Sequence, residues 1–397
     1  MIESSPHRLL NERLPVPYAG STVIVLAPAH FDLIKRTIET CFRLAHSPAW
    51  AARVDVESSI DPITHIAPGN TGVFMGYDFH ITAAGPRLIE INTNAGGALL
   101  NGIHTLSLCN PEKLACLCQG LLPVEAVRER VLQTLVEEFE AVRGRGSRPQ
   151  RIAIADERPR EQFLHSEFEL IAHGLTELGL PTTICDTGEL VATADGLTLH
   201  GQPIDLVYLR DTDFLLTTAR AAHVRRALEA GTVVVTPLPR EHHLLANKRR
   251  LCLLSSLEAL HGLGLDEEEA HLLATVVPET RRLDDLGPER AWAERRQWVF
   301  KPEAAFGSRA VYRGDKITRG RFDEIVHDPD YVAQRRVEPG IVAVDTTEGA
   351  REMKFDVRAY AYRDEVLLLG ARVYQGQVTN LRSPGGGFSA ICVARND

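Results

Sequence analysis

Arg87-Leu88-Ile89-Glu90-Ile91-Asn92-Thr93-Asn94-Ala95-Gly96-Gly97 decides how the rest of this chain is read. Apolar Leu88, Ile89 and Ile91 surround Glu90 and Asn92, which predicts a strand with two polar side chains on one face. Residues two apart on a strand point the same way, so a carboxylate and an amide oxygen meet at one point. Oxygen-only ligands at that spacing suit Mg²⁺, a hard cation that keeps some waters and shares phosphate oxygens. The preceding run Val73-Phe74-Met75-Gly76-Tyr77-Asp78-Phe79-His80-Ile81 reads as a second strand. A hairpin through Ala84-Gly85-Pro86 would set Asp78 beside the pair. The bland alternative is a strand whose polar face meets water.

Working outward, Ser21 to Leu26 is a buried-strand candidate, and an amphipathic helix follows Pro28 to about Leu44. Asn94, Gly96 and Gly97 suit a chain that turns tightly near a ligand. Pro123 opens a long helix in which Val127, Val131, Leu135, Val136, Phe139 and Val142 keep a near-3.6 period. That helix runs into Gly144-Arg145-Gly146-Ser147-Arg148-Pro149, the expected boundary of a first region, 1–147.

From Arg151 the texture becomes strand–helix alternation: strands at 151–156, 182–185, 206–210 and 232–236, with helices over about 164–178 and 216–229. This order predicts a small parallel α/β substrate-binding domain, 148–240, with ligand contacts at the carboxyl ends of its strands. Arg210 falls at such an end; an Arg ending a strand is also often just solvated. The third region, 241–397, begins with a helix around Asn247 to Leu254 and is strand-rich over its last hundred residues. His242 and His243, beside Glu241, could form a metal site, but adjacent side chains on a helix diverge, and they are read as solvated.

The chain is 397 residues long, 44% hydrophobic and 24% charged, as soluble globular proteins are. Its net charge of -9 argues against general binding to nucleic acid or an anionic membrane. No apolar run is long enough to span a bilayer, and no secretory signal is visible. Seven cysteines without a Cys-x-x-Cys pair predict reduced thiols and a cytoplasmic protein. The P-loop, the Gly-x-Gly-x-x-Gly turn and the Gly-x-Ser-x-Gly elbow are all missing from the sequence, which disfavours the enzyme classes built on them.

Other residues carry nucleotide chemistry. Lys301 ends the apolar strand Gln297 to Phe300 and can set one positive charge against a phosphate. The small-residue loop after it, with Gly307 and Ser308, can close over a nucleotide through its backbone N–H groups. The strand Tyr331 to Val337 can offer main-chain hydrogen bonds to an adenine edge, and Glu338 can accept from ribose. Asp356 and Arg358 share a strand face. Arg382, followed by Gly385-Gly386-Gly387, can stabilise a bound acyl-phosphate.

Together these pieces resemble the ATP-grasp superfamily, above all its circularly permuted branch typified by eukaryotic glutathione synthetase. There, as here, the Glu-x-Asn strand comes first (Ile89 to Thr93). Val207-Tyr208-Leu209-Arg210-Asp211, Ala246-Asn247-Lys248-Arg249, Trp298 to Pro302, Tyr331 to Gln334 and Arg382 follow in the family's order. The resemblance implies that Lys248 and Lys301 hold ATP phosphates, under a mobile loop at 304–310. It implies that Gln334, Arg335, Val337 and Glu338 hold adenosine, and that Glu90 and Asn92 bind Mg²⁺ with Asp78 close by. Arg210 and Arg382 would contact the substrate carboxylate and the transferring phosphoryl group. The family's loop carries a metal-binding Glu and several glycines; here the loop has one glycine, with Glu303 as the nearest substitute. The family's Ser-rich loop after Glu-x-Asn is replaced by Asn94 to Ala98, so a product other than glutathione is expected.

The implied function is an ATP-dependent carboxylate–amine ligase that acts on small molecules such as amino acids or short peptides. A homodimer is common among relatives. Two alternatives stay open: a nucleotide-binding regulatory or scaffold protein that lost ligation, and a phosphotransferase that stops at the phosphorylated substrate.

Overall fold

The computed structural model describes residues 18–56, 61–108, 124–303, 310–346, 349–377, 379, 381 and 383–394. Gly307, Ser308 and Arg382 lie outside the described residues. The first strands are β1 (Tyr18–Leu26), β2 (Met75–Thr82) and β3 (Gly85–Asn92). A parallel unit follows with β4 (Ile152–Asp156), β5 (Thr182–Asp186), β9 (Leu206–Leu209) and β10 (Val234–Thr236). Inserted in it are the three-residue strands β6 (Leu190–Ala192), β7 (Leu197–Leu199) and β8 (Gln202–Ile204). Next come β11 (Thr280–Arg282), β12 (Trp298–Pro302), β13 (Tyr312–Arg313) and β14 (Tyr331–Arg335). Last are β15 (Gly340–Thr346), β16 (Gly349–Tyr362), β17 (Glu365–Tyr374) and β18 (Gly387–Val393).

The expected hairpin forms. β2 and β3 pair antiparallel with Asp78 opposite Glu90, and they extend a mixed sheet ordered β1-β18-β17-β16-β2-β3, to which β15 adds on β16. One apolar face of this sheet packs on the helix Pro28–Ala45 and the helices between Arg250 and Val276. The other face meets the helix Val124–Arg143, whose Val127, Val131, Leu135 and Val136 are buried against both this sheet and the parallel one. The parallel sheet has the order β10-β9-β4-β5, as the strand–helix alternation implies. A smaller antiparallel sheet, β11-β14-β12-β13, has its own core of Trp298, Phe300, Phe322 and Ala333.

Three local readings differ from expectation. The helix expected over 216–229 begins only at Ala222. Leu216 takes a positive φ of 52°, and the Asp213 side chain accepts from Thr217 and Thr218 N–H, so a side-chain-stabilised turn replaces the first helical turns. The sheet β6-β7-β8 was not expected, since three-residue strands leave too short a pattern to read. Cys41, Cys185 and Cys252 are free thiols, whereas Cys392 is disulfide-bonded, which departs from the all-reduced expectation. Among the described residues no helix is long and apolar enough to cross a membrane.

Glu138, on the helix Val124–Arg143, joins the two sheets by polar contacts. Fully buried, it accepts from Asn70 Nδ2 (2.9 Å), Thr71 N–H (3.2 Å), Gly72 N–H (2.7 Å), Thr236 Oγ1 (2.8 Å) and Tyr362 O–H (3.1 Å). Glu138→Leu strands all these donors away from water, so it should cost roughly 3–5 kcal/mol in urea unfolding. A loss below about 1 kcal/mol would show that the network contributes little.

Candidate active site

A cavity of about 920 Å³ opens where the three larger sheets face one another. Its first wall is β3. Register shifts between the pairs Asp78–Glu90 and Phe79–Leu88, so Ile89 bulges without a cross-strand partner. A bulge re-aims what the strand presents. Leu88 and Ile91 stay in the core, Glu90 and Asn92 line the cavity, and the Ile89 carbonyl accepts from Lys301 Nζ at 3.0 Å.

Lys301 arrives from the small antiparallel sheet and is 9% exposed. Its second partner is Gln334 Oε1 at 2.7 Å, and Gln334 Nε2 in turn donates to Thr280 Oγ1 at 3.2 Å. Burial pulls the Lys301 ammonium down to about 8; Glu90 opposes that shift and Lys248 adds to it. Lys248 lies against Glu90 Oε1 at 2.9 Å. Although burial works the other way, Lys248 and Lys301 hold the Glu90 carboxyl below its usual range. Glu90, Lys248 and Lys301 therefore meet at one place.

Asp78 is close by but turned to another task. Its carboxylate accepts from Arg358 Nε (2.6 Å) and Nη2 (2.7 Å), from Arg372 Nη2 (2.8 Å) and from Asn92 Nδ2 (3.2 Å). Arg372 Nε also bonds Asp356 Oδ1 at 2.7 Å, and Thr379 Oγ1 bonds Asp356 Oδ2 at 2.6 Å. Both aspartates are fully buried, while Arg358 and Arg372 line the cavity. The two guanidinium groups and the Asn92 amide thus occupy the Asp78 oxygens in this structure and compete with the metal-ligand role expected of it. Glu303 is paired as well. It forms an ion pair with Arg249 at 2.6 Å and is not among the cavity-lining residues.

The segment after β14 runs along the cavity. The Val337 carbonyl accepts from His80 Nδ1 at 2.9 Å, and burial lowers the His80 pKa, so the ring is neutral. Arg335, Val337 and Glu338 all line the cavity, with the Arg335 side chain paired to Glu279 at 2.9 Å and Glu338 paired to Arg336. Gln334 lines the cavity and also touches Lys301.

The far wall belongs to the parallel unit. Arg210 follows β9 with its N–H on the Ala155 carbonyl at 2.7 Å. Its guanidinium touches Asn94 Oδ1 and the Tyr208 hydroxyl and lies over the Tyr208 and Phe168 rings, while Nε is buried without a partner. A Cβ on Gly96 would come within 2.6 Å of Arg210 Nη2, so any side chain there would displace the guanidinium. Asp156, at the end of neighbouring β4, also lines the cavity, and burial pushes it up to about 6.

Reading the sequence missed Glu167, Arg372 and His242. Glu167 accepts from Gly97 N–H (2.7 Å) and Leu99 N–H (3.0 Å) at the start of the helix Ala98–Leu108, and so fixes the loop after Glu90-x-Asn92. His242 and His243 are buried, not solvated.

Neither a protein-family model nor a curated protein matches the sequence. Among solved structures, a glutathione synthetase-like effector from Globodera pallida in its apo form is similar over 93% of this chain and 88% of its own, at 10% identity and a TM-score of 0.55. A gamma-glutamylcysteine synthetase-like protein from Methylobacillus flagellatus aligns over 90% of this chain and 85% of its own, at 13% identity and a TM-score of 0.48. The ATP-grasp ligase PsnB, complexed with minimal precursor, Mg and ADP, aligns over 60% of this chain and 87% of its own, at 14% identity and a TM-score of 0.32. At these identities the likeness is one of fold: the chain shares the fold of the glutathione synthetase-like effector.

Asp78→Asn turns an amide donor toward guanidinium donors and leaves two buried arginines short of charge. Its thermal unfolding should show a loss of roughly 3–5 kcal/mol. Unchanged stability would show that these ion pairs contribute little and would favour the metal-ligand role of Asp78.

Proposed function

We propose that this chain, with its glutathione synthetase-like fold, is an ATP- and Mg²⁺-dependent ligase that joins a carboxylate to an amine through an acyl-phosphate. The observation that carries this reading is the meeting of Glu90, Lys248 and Lys301 at one place on the cavity wall. Two ammonium groups around one carboxylate form the charge set that a metal–polyphosphate complex needs.

The donors present fit Mg²⁺. Glu90 and Asn92 offer oxygen ligands two apart on one strand, and so few protein ligands leave positions for water and phosphate oxygens. When bound there, Mg²⁺ would neutralise charge on the phosphates. Lys248 and Lys301 then hold the phosphates, with Lys301 aimed by the Ile89 carbonyl and Gln334. Arg210 faces the substrate carboxylate. Gly307, Ser308 and Arg382 keep their expected parts in this proposal, closing over the nucleotide and stabilising the transferring phosphoryl group. The carboxylate oxygen attacks the γ-phosphorus and ADP leaves; an amine then attacks the acyl carbon and phosphate leaves. Such chemistry asks for positioning and charge neutralisation, not for a nucleophilic side chain.

One observation favours a second reading. Asp78 and Glu303 are both committed to ion pairs, so the acidic equipment is thin. A nucleotide-binding protein without ligation would look the same.

Mg-ATP incubated with pooled amino acids, short peptides and polyamines should yield ADP and a mass equal to acid plus amine minus water. Glu90→Ala should abolish Mg-dependent ADP formation. ATP binding with no ADP in any pool would favour the non-catalytic reading, and a phosphorylated product without amine dependence would favour a phosphotransferase.

The Lys301 shift adds a pH dependence. Its folded pKa of about 8 lies below the unfolded lysine value of about 10.4. The unfolded chain thus holds more protons between them. This group's destabilising effect is therefore full below pH 8 and fades as pH rises toward the unfolded value. An arriving polyphosphate favours the charged form, so nucleotide affinity should fall as pH rises through about 8. Calorimetry in buffers of different ionisation enthalpy should show greater proton uptake at about pH 8.5 than at about pH 7. Equal uptake would contradict the assignment of Lys301 to the phosphates.

A further inference from the structure

After Pro239 the chain makes a wide π-helical turn over His242–Ala246, closed by Asn247 N–H on the His242 carbonyl at 3.0 Å. Such turns recur at functional sites, because the added residue re-aims side chains. Here the turn sets both His242 and Ala246 on the cavity, with Lys248 two residues beyond. The His242 ring lies flat on Phe214, with centroids 4.3 Å apart and planes 11° apart. His242 is 8% exposed, its Nδ1 is buried without a hydrogen-bond partner, and no described residue bonds Nε2. A ring held so firmly, and so short of polar partners, is built to meet something that enters the cavity.

We propose that His242 holds the nucleophilic amine, its Nε2, the ring nitrogen not sealed off by burial, accepting an N–H from a neutral primary amine; this rests on the ligase reading above. Three features of the wall support it. Burial, reinforced by Lys248, His243 and Arg250, pushes the imidazole down to about 3, so the ring is neutral and one nitrogen is an acceptor. Anionic groups have better partners in Lys248, Lys301 and Arg210, which leaves a neutral donor as the natural guest of His242. The same cations disfavour an ammonium ion, and aminolysis requires the unprotonated amine.

In the step itself, the amine nitrogen forms its bond to the acyl carbon. The carbon–oxygen bond to phosphate breaks with its electron pair, and the departing phosphate carries away the amine proton. His242 accepts a hydrogen bond throughout and gains no proton.

Two variants and one spectrum test this. His242→Phe keeps the stack on Phe214 and removes both nitrogens; His242→Gln restores an acceptor near Nε2. With the amine substrate found by mass spectrometry, His242→Phe should raise its KM about tenfold and leave the ATP KM unchanged, while His242→Gln recovers most of the loss. Unaltered amine kinetics in His242→Phe, or equal losses for amine and ATP in both variants, would overturn the assignment.

The spectrum does not depend on turnover. Protein labelled with ¹⁵N-histidine and loaded with Mg-ADP is titrated with glycine, β-alanine, putrescine and hydroxylamine. The ring resonance that is missing from His242→Gln should shift saturably with at least one probe; no shift with any of the four overturns the proposal. A shift from a wild-type protein that releases no ADP would sink the ligase reading and leave the amine contact standing.

Discussion

A buried ammonium group tied between two sheets organises this molecule. Lys301 reaches from β12 to the Ile89 carbonyl on β3, and the bond exists because a bulge turns that carbonyl out of the hairpin ladder. Gln334 and Thr280 hold the ammonium from behind. A lysine in this position is costly in an apolar setting, and its pKa falls accordingly. The cost is offset where a polyanion is to be received, since the charge is then already in place and needs no reorganisation.

Around it, charge is separated by depth. Asp78, Arg358, Arg372 and Asp356 form a fully compensated set across β2, β16 and β17. Arg358 stands directly opposite Asp78, and Arg372 opposite Asp356, so strand register alone builds the pairs. This set fixes the sheet beneath the cavity. On the hairpin, Glu90, opposite Asp78, and Asn92, opposite Gly76, are left to face the cavity.

Much of this was legible because it depends on short-range patterning. Period-two alternation placed Glu90 and Asn92 on one face. Strand–helix alternation after Arg151 announced a parallel sheet with Arg210 at a carboxyl end. The order of the nucleotide motifs pointed to the fold that the solved structure of the Globodera pallida effector shares. What stayed hidden depends on long-range pairing. Asp78 and Glu90 look alike in sequence, and only the arrival of β16 and β17 shows that one is consumed by arginines. Nothing near Glu303 in the sequence announces that its carboxylate pairs with Arg249. His242 looked solvated because a regular helix was assumed, whereas the π-helical turn carries it inward. Glu167 lies some seventy residues from the loop that it fixes, and nothing local announces that contact.

The central claim is that Glu90 and Asn92 hold the metal while Lys248 and Lys301 hold the phosphates of one nucleotide. Crystals grown with ADP and Mn²⁺ in place of Mg²⁺ test it directly, because Mn²⁺ is visible by anomalous scattering. The account predicts an anomalous peak in coordination contact with Glu90 and Asn92, at about 2.0–2.3 Å, bridged to phosphate oxygens that also meet Lys248 and Lys301. A metal and nucleotide bound elsewhere, or phosphates that bypass both lysines, would contradict it.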